Sequence, residues 1–93
     1  MKYPKEYLDE IKNRLKVSTV VSKTVNLKKR GKEFIGLSPF KTEKTPSFTV
    51  NDEKGFYHCF STSEHGNIFD FVMKTQNLKF GEAVRSLASL ASM

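Results

Sequence analysis

Between Thr24 and Phe60 the apolar residues recur at every second position in short runs broken by turn signals, and this period constrains the fold more than any other feature. Val25 and Leu27 alternate with polar neighbours, the run KKRGK at 28–32 supplies a turn with Gly31 free to take positive φ, and Glu33 to Leu37 resumes as a strand. This reads as a β-hairpin with a basic tip. A loop with Pro39 and Pro46 follows, and the alternation Ser47 to Val50 then reverses through Asn51, Asp52, Glu53, Lys54 and Gly55 into Phe56 to Phe60. No connection between these runs is long enough for a parallel crossover, so the sheet must be antiparallel.

On either side the period is helical. Tyr7, Leu8, Ile11 and Leu15 form one face of a short helix over 4–15, with Pro4 suited to its first turn. Val17 to Ser22 is rich in β-branched residues and fits a helical turn or a strand equally well. The run STSEHGN at 61–67 is turn-like. Asn67, with Asp70 three positions on, forms a capping pair that starts a helix. Ile68, Phe69, Phe71, Val72 and Met73 cover so much of that helix that it must be buried on most sides. Gln76 to Lys79 breaks the pattern, and Phe80, Ala83, Val84, Leu87, Leu90 and Ala91 form the stripe of a last helix. The expectation is an α+β fold, an antiparallel sheet flanked by N-terminal and C-terminal helices.

A chain of 93 residues at 10.6 kDa allows a single domain over 1–93 with one modest core. Its stop just after a good helix, at ASLASM, is expected of a fragment of a longer protein. The single cysteine, Cys59, closes no intramolecular disulfide and does not by itself anchor a thiolate metal site. No apolar run approaches the roughly 18 residues of a membrane span, so a cytoplasmic place with no membrane partner is expected. The net charge of +6 favours a polyanionic partner, and its distribution matters more than its size. Residues 22–50 carry seven basic and two acidic side chains, a local +5.

The stretch GLSPFKTEKTPSFTVNDEKGFYHCFSTSEHGNIFDFVM resembles the N-terminal zinc-ribbon domain of bacterial DnaG-type DNA primases, chiefly through EKTPSF, YHCF and HGN at their separations. The resemblance covers nearly the whole chain and implies a zinc-ribbon-like sheet. Family members would hold zinc through a Cys-x-x-His pair before EKTPSF and a Cys-x-x-Cys pair after YH. The corresponding positions here are Ser38, Lys41, Cys59 and Thr62, so only one ligand remains. A hydroxyl is a poor neutral ligand and the Lys41 ammonium would have to lose a proton beside a cation, so the domain is expected to be metal-free. A rescue site from His58, Cys59, Glu64 and His65 is opposed by strand geometry, which points His58 and Cys59 to opposite faces.

Something must replace the metal. The candidates are burial of Phe40, Phe48, Phe56, Phe60, Phe69 and Phe71 around the two knuckles and hydrogen bonds from Ser38, Ser61, Thr62 and Ser63. Lys41 is a candidate partner for Glu43 or Glu64. Cys59 is read as a small buried thiol rather than a nucleophile, because its neighbour His58 diverges from it and no oxyanion-hole motif or carboxylate pair accompanies them. The domain alone is therefore expected to be non-catalytic.

The resemblance implies a module that binds single-stranded DNA template and nascent RNA primer and helps select the initiation site. The enzyme would be a primase whose polymerase domain uses Mg or Mn and whose C-terminal region meets the replicative helicase. Cations spaced along a phosphate path and flat rings for unstacked bases are what such binding needs. Lys28, Lys29, Arg30, Lys32, Lys41 and Lys44 are the candidates for the first role and Phe48, Tyr57 and His58 for the second. For Phe48, Phe56 and Phe60 the core is the competing place, and the one a domain this small favours. The alternative function is a protein-docking module that offers Val84, Leu87 and Leu90 to the polymerase domain or another replication factor.

Overall fold

Pro4, whose missing N–H costs nothing at a helix start, precedes α1 (Lys5–Arg14) in the computed structural model, which describes residues 3–93. Ile11 and Leu15 bury the inward side of that segment, and the Arg14 guanidinium reaches the Ala91 carbonyl at 3.4 Å near the other end of the chain. Val17–Val21 resolves as a second short helix, α2. The deciding contact is remote: the Ser18 N–H and hydroxyl both donate to the Asp52 carboxylate, the backbone bond at 2.8 Å, so a hairpin turn far along the chain caps this helix.

The sheet is a meander of β1 (Lys28–Arg30), β2 (Glu33–Gly36), β3 (Phe48–Asn51), β4 (Phe56–Cys59) and β5 (His65–Gly66), each antiparallel to the next. The first strand begins later than the alternation of Val25 and Leu27 predicts. Thr24 and Val25 donate to the Val21 carbonyl at 3.0 and 2.9 Å, so the end of α2 holds the segment that would have paired. Lys28 to Arg30 consequently lie in a strand rather than at a hairpin tip, and Gly31 takes the expected positive φ of 62°. The run 61–67 is more than a turn: Cys59 N–H donates to Glu64 O at 2.8 Å, and two residues of β5 pair with β4.

Two helices follow. In α3 (Ile68–Gln76) the Asn67 side chain accepts from Phe69 and Asp70 N–H at 2.9 and 3.1 Å, while Asp70 accepts from Asn67 N–H at 2.9 Å. The expected reciprocal cap is thus complete. Asn77, in the left-handed region with φ 53°, ends α3, and α4 (Phe80–Leu90) buries Ala83, Val84 and Leu87 against the rest of the fold.

Helices cover one face of the sheet, and the rings of Phe40, Phe48, Tyr57 and Phe71 meet between the layers. Phe48 and Tyr57 stack at 5.3 Å, and Phe71 sets its edge to Tyr57 at 5.6 Å. Phe69 and Phe71 are buried as expected, but Phe56 and Phe60 are not, at 40% and 67% exposed. The pleat explains the difference: with Tyr57 and Cys59 inward, Phe56, His58 and Phe60 must point outward.

Candidate nucleic-acid interface and the knuckle cluster

The solvent-facing side of the sheet carries one continuous cross-strand row. Lys28 pairs with Ile35, Ile35 with Thr49, Thr49 with His58 and His58 with His65, so these five side chains share a face. At the usual strand spacing the row spans about 19 Å. Arg30, Glu33, Asn51 and Phe56 form the row beside it, with Asn51 donating to the Glu33 carboxylate at 3.3 Å. At the β4–β5 end Phe60 lies edge-on to the His58 ring, centroids 4.3 Å apart, and His65 stands 6.1 Å from His58. The face is therefore cationic at one end and aromatic at the other.

The predicted site residues divide between the two sides. Lys28, Arg30 and His58 lie on the outward face. Lys29 points the other way and sets its ammonium 5.2 Å from the Phe34 ring centre, and Lys32 is exposed in the turn after β1. Lys41 and Lys44 are exposed in the loop before β3, outside the sheet. Phe48 and Tyr57 were candidate stacking platforms, and the structure corrects both candidacies: each is 0% exposed, so neither presents a ring to a base, and Phe48 takes the core place that a small domain favours. The exposed rings that sequence reasoning assigned to the core are Phe56 and Phe60, and the alternation around Cys59 was the signal that could have found them.

The two knuckles, at 38–41 and 59–62, come together around the Cys59 sulfur. Ser38 Oγ lies 3.2 Å and Ser61 Oγ 3.3 Å from Cys59 Sγ, and Ser47 Oγ is at 3.9 Å. Glu43 accepts from Ser38 N–H at 2.9 Å, from Ser47 N–H at 3.1 Å and from the Ser47 hydroxyl at 2.8 Å. Ser47 Oγ in turn stands 2.9 Å from Ser61 Oγ, so a circuit of hydrogen bonds joins one knuckle to the other. The Ser38 N–H is the strongest influence holding the Glu43 carboxyl below its ordinary value. Burial pushes the Cys59 thiol up, but the hydroxyls of Ser38, Ser61 and Thr62 and the Thr62 backbone outweigh it and lower the group to about 6.

Lys41, expected to pair with Glu43 or Glu64, pairs with neither: the serines take Glu43, and Glu64 faces Lys74 at 3.8 Å. One thiol, three serine hydroxyls and a carboxylate already spent on backbone N–H groups do not make a zinc donor set. Among the described residues no three His, Cys, Asp or Glu side chains gather into a metal-holding group. His58 lies on the face opposite Cys59, as the strand geometry required.

A five-stranded antiparallel meander, helices on one face and two knuckles meeting at a cysteine define a zinc-ribbon-like domain. A family profile described as the CHC2 zinc finger, the zinc ribbon of DnaG, matches residues 3–93, and the chain belongs to that family. It is 48% identical over 90 residues to a DNA primase of Pseudomonas putida and 43% identical over 90 residues to that of Escherichia coli K12, matching 97% of this chain in each case. It spans only 14% and 16% of those proteins' lengths. Among solved structures, the Aquifex aeolicus primase comprising zinc-binding and RNA polymerase domains superposes with a TM-score of 0.86 at 29% identity, over 92% of this chain and 21% of that one. The chain is thus homologous to the N-terminal zinc-binding domain of bacterial DNA primases. Among the described residues, no helix is long and apolar enough to cross a membrane.

Proposed function

We propose that residues 1–93 are the template-binding domain of a DNA primase, which holds single-stranded DNA and the nascent RNA primer on the outward face of the sheet and helps select the initiation site. The observation that carries this reading is the row Lys28, Ile35, Thr49, His58, His65 with Phe60 at its end, which sets phosphate-pairing cations and base-stacking rings on one exposed surface. Lys28 and Arg30 neutralise phosphates, and Lys32, Lys41 and Lys44 extend the positive field. His58 keeps its stacking role, and Phe60 takes the one first given to Phe48 and Tyr57. Glu33 tempers the field at one corner of the face.

The domain supplies no catalytic group in this reading. Primer synthesis belongs to a polymerase domain with its own Mg or Mn, and the helicase contact to a C-terminal region, both outside these residues. The domain works without zinc, because Ser38, Lys41 and Thr62 stand where ligands are needed and the Glu43 circuit joins the knuckles instead. A place in the bacterial cytoplasm, at the replication fork, follows from the same reading.

The protein-docking alternative is weaker in its original form, since Val84 and Leu87 are spent on the domain's own core and, of the three residues offered, Leu90 alone is exposed.

The test is fluorescence anisotropy with a labelled single-stranded oligonucleotide over a salt series. Log affinity should fall linearly with log salt, Lys28→Glu with Arg30→Glu should weaken binding to all sequences alike, and Phe60→Ala should cost about fivefold or more. Binding unaffected by these changes would remove the sheet face from the mechanism.

A further inference from the structure

An apolar groove lies beside that face rather than on it. It encloses about 540 Å³ between the end of α2, the β1–β2 edge and the first knuckle. Its walls include Val25, Ile35, Leu37 and Pro46, and its lining includes two lysines, Lys28 and Lys44, but no carboxylate. Leu37 is 47% exposed there, so its side chain is open to an incoming group. Lys28 and Ile35 belong both to this groove and to the cross-strand row, so the groove continues the outward face around the sheet edge.

We infer that the groove seats one unstacked nucleotide of the bound single strand, its base against the apolar wall and its phosphates between Lys28 and Lys44. The inference rests on the proposed template-binding role and deepens it by giving the strand a base pocket at the cationic end. Three features select this occupant. A volume of this size suits a small flat group, the apolar wall offers a base a surface to leave water for, and a rim with only positive charge selects an anion. Asn26 and Thr24 complete the lining on the α2 side, the Thr24 hydroxyl donating to the Val21 carbonyl at 3.4 Å.

The experiment compares two strands of equal length and charge, a thymidine 9-mer and the same 9-mer with abasic units, on wild type, Leu37→Ala and Phe60→Ala, each checked for folding by its amide spectrum. Leu37→Ala should weaken the thymidine strand by about fivefold or more and leave the abasic strand unchanged, since only the first has bases to seat. On wild type the thymidine strand should also shift the methyl resonances of Val25, Ile35 and Leu37. Equal affinities of Leu37→Ala and wild type for the thymidine strand, or equal losses for both strands, would overturn the inference. So would methyl shifts produced by an acidic Leu-Glu peptide but not by the oligonucleotide, which would assign the groove to a protein partner. If Phe60→Ala weakens binding while Leu37→Ala does not, the groove fails and the sheet face stands. If wild type binds neither strand, both fail.

Discussion

Tyr57 carries a buried hydroxyl with no hydrogen-bond partner among the described residues, and burial raises that phenol far above its ordinary value. A buried donor left unpaired costs about 1–3 kcal/mol, so Tyr57→Phe should raise stability by about 1 kcal/mol, read as a higher urea midpoint at unchanged slope. A lower midpoint would mean the hydroxyl has a partner. The same hydroxyl explains why sequence reasoning placed Tyr57 outside, and one misjudged residue reverses a whole strand because the side-chain period is two. Glu43 gives a pH signature. Its carboxyl sits below the ordinary 4.5 in the folded chain, so its contribution is present above that value and is lost as pH falls through the lower folded value. Thermal scans from pH 7 to pH 2 should therefore show wild type losing more stability in acid than Glu43→Gln, which starts lower. Parallel profiles would show that the Glu43 circuit does not join the knuckles. The basic and EKTPSF residues were legible from identity alone, whereas the Glu43 circuit depends on a loop closing in space.

At the level of elements, short-range signals were readable and long-range ones were not. The Asn67–Asp70 cap, the break after Gln76 and the two hairpins are local, and the structure has each of them. Helix α2 depends on Asp52, 34 residues from Ser18, and β5 exists because Cys59 and Glu64 close a tight turn. Neither leaves a mark in a short window. The join between β5 and α3 has its own requirement. Gly66 has φ 159°, and a Cβ there would fall against the Asp70 side chain that caps α3. Gly66→Ala should therefore cost about 2 kcal/mol, through the displaced cap and the strained backbone, and lower Tm by roughly 8–16 °C. A change under about 2 °C would show that Asp70 can move aside without loss.

For the molecule as a whole, the proposed function needs the fold to stand without metal. On the proposed metal-free reading, the order of 10 kcal/mol that a structural zinc contributes in small metal-dependent domains must come from the rest of the fold. Here the ring cluster of Phe40, Phe48, Tyr57 and Phe71 packs the sheet to α3, and the Glu43, Ser47, Ser61, Cys59 and Ser38 contacts join the knuckles. The family and the loss of ligands were legible because both are matters of residue identity. Which aromatic rings pack inside and which face solvent was not, because it depends on strand register. The most direct measurement is an amide correlation spectrum of the protein in excess EDTA, recorded before and after adding a short single-stranded oligonucleotide. The expected result is a dispersed spectrum without metal, with shifts on addition concentrated at Lys28, Arg30, Thr49, His58, Phe60 and His65. A collapsed spectrum that disperses only when zinc is supplied, or a dispersed one that the oligonucleotide leaves unchanged, would contradict the account.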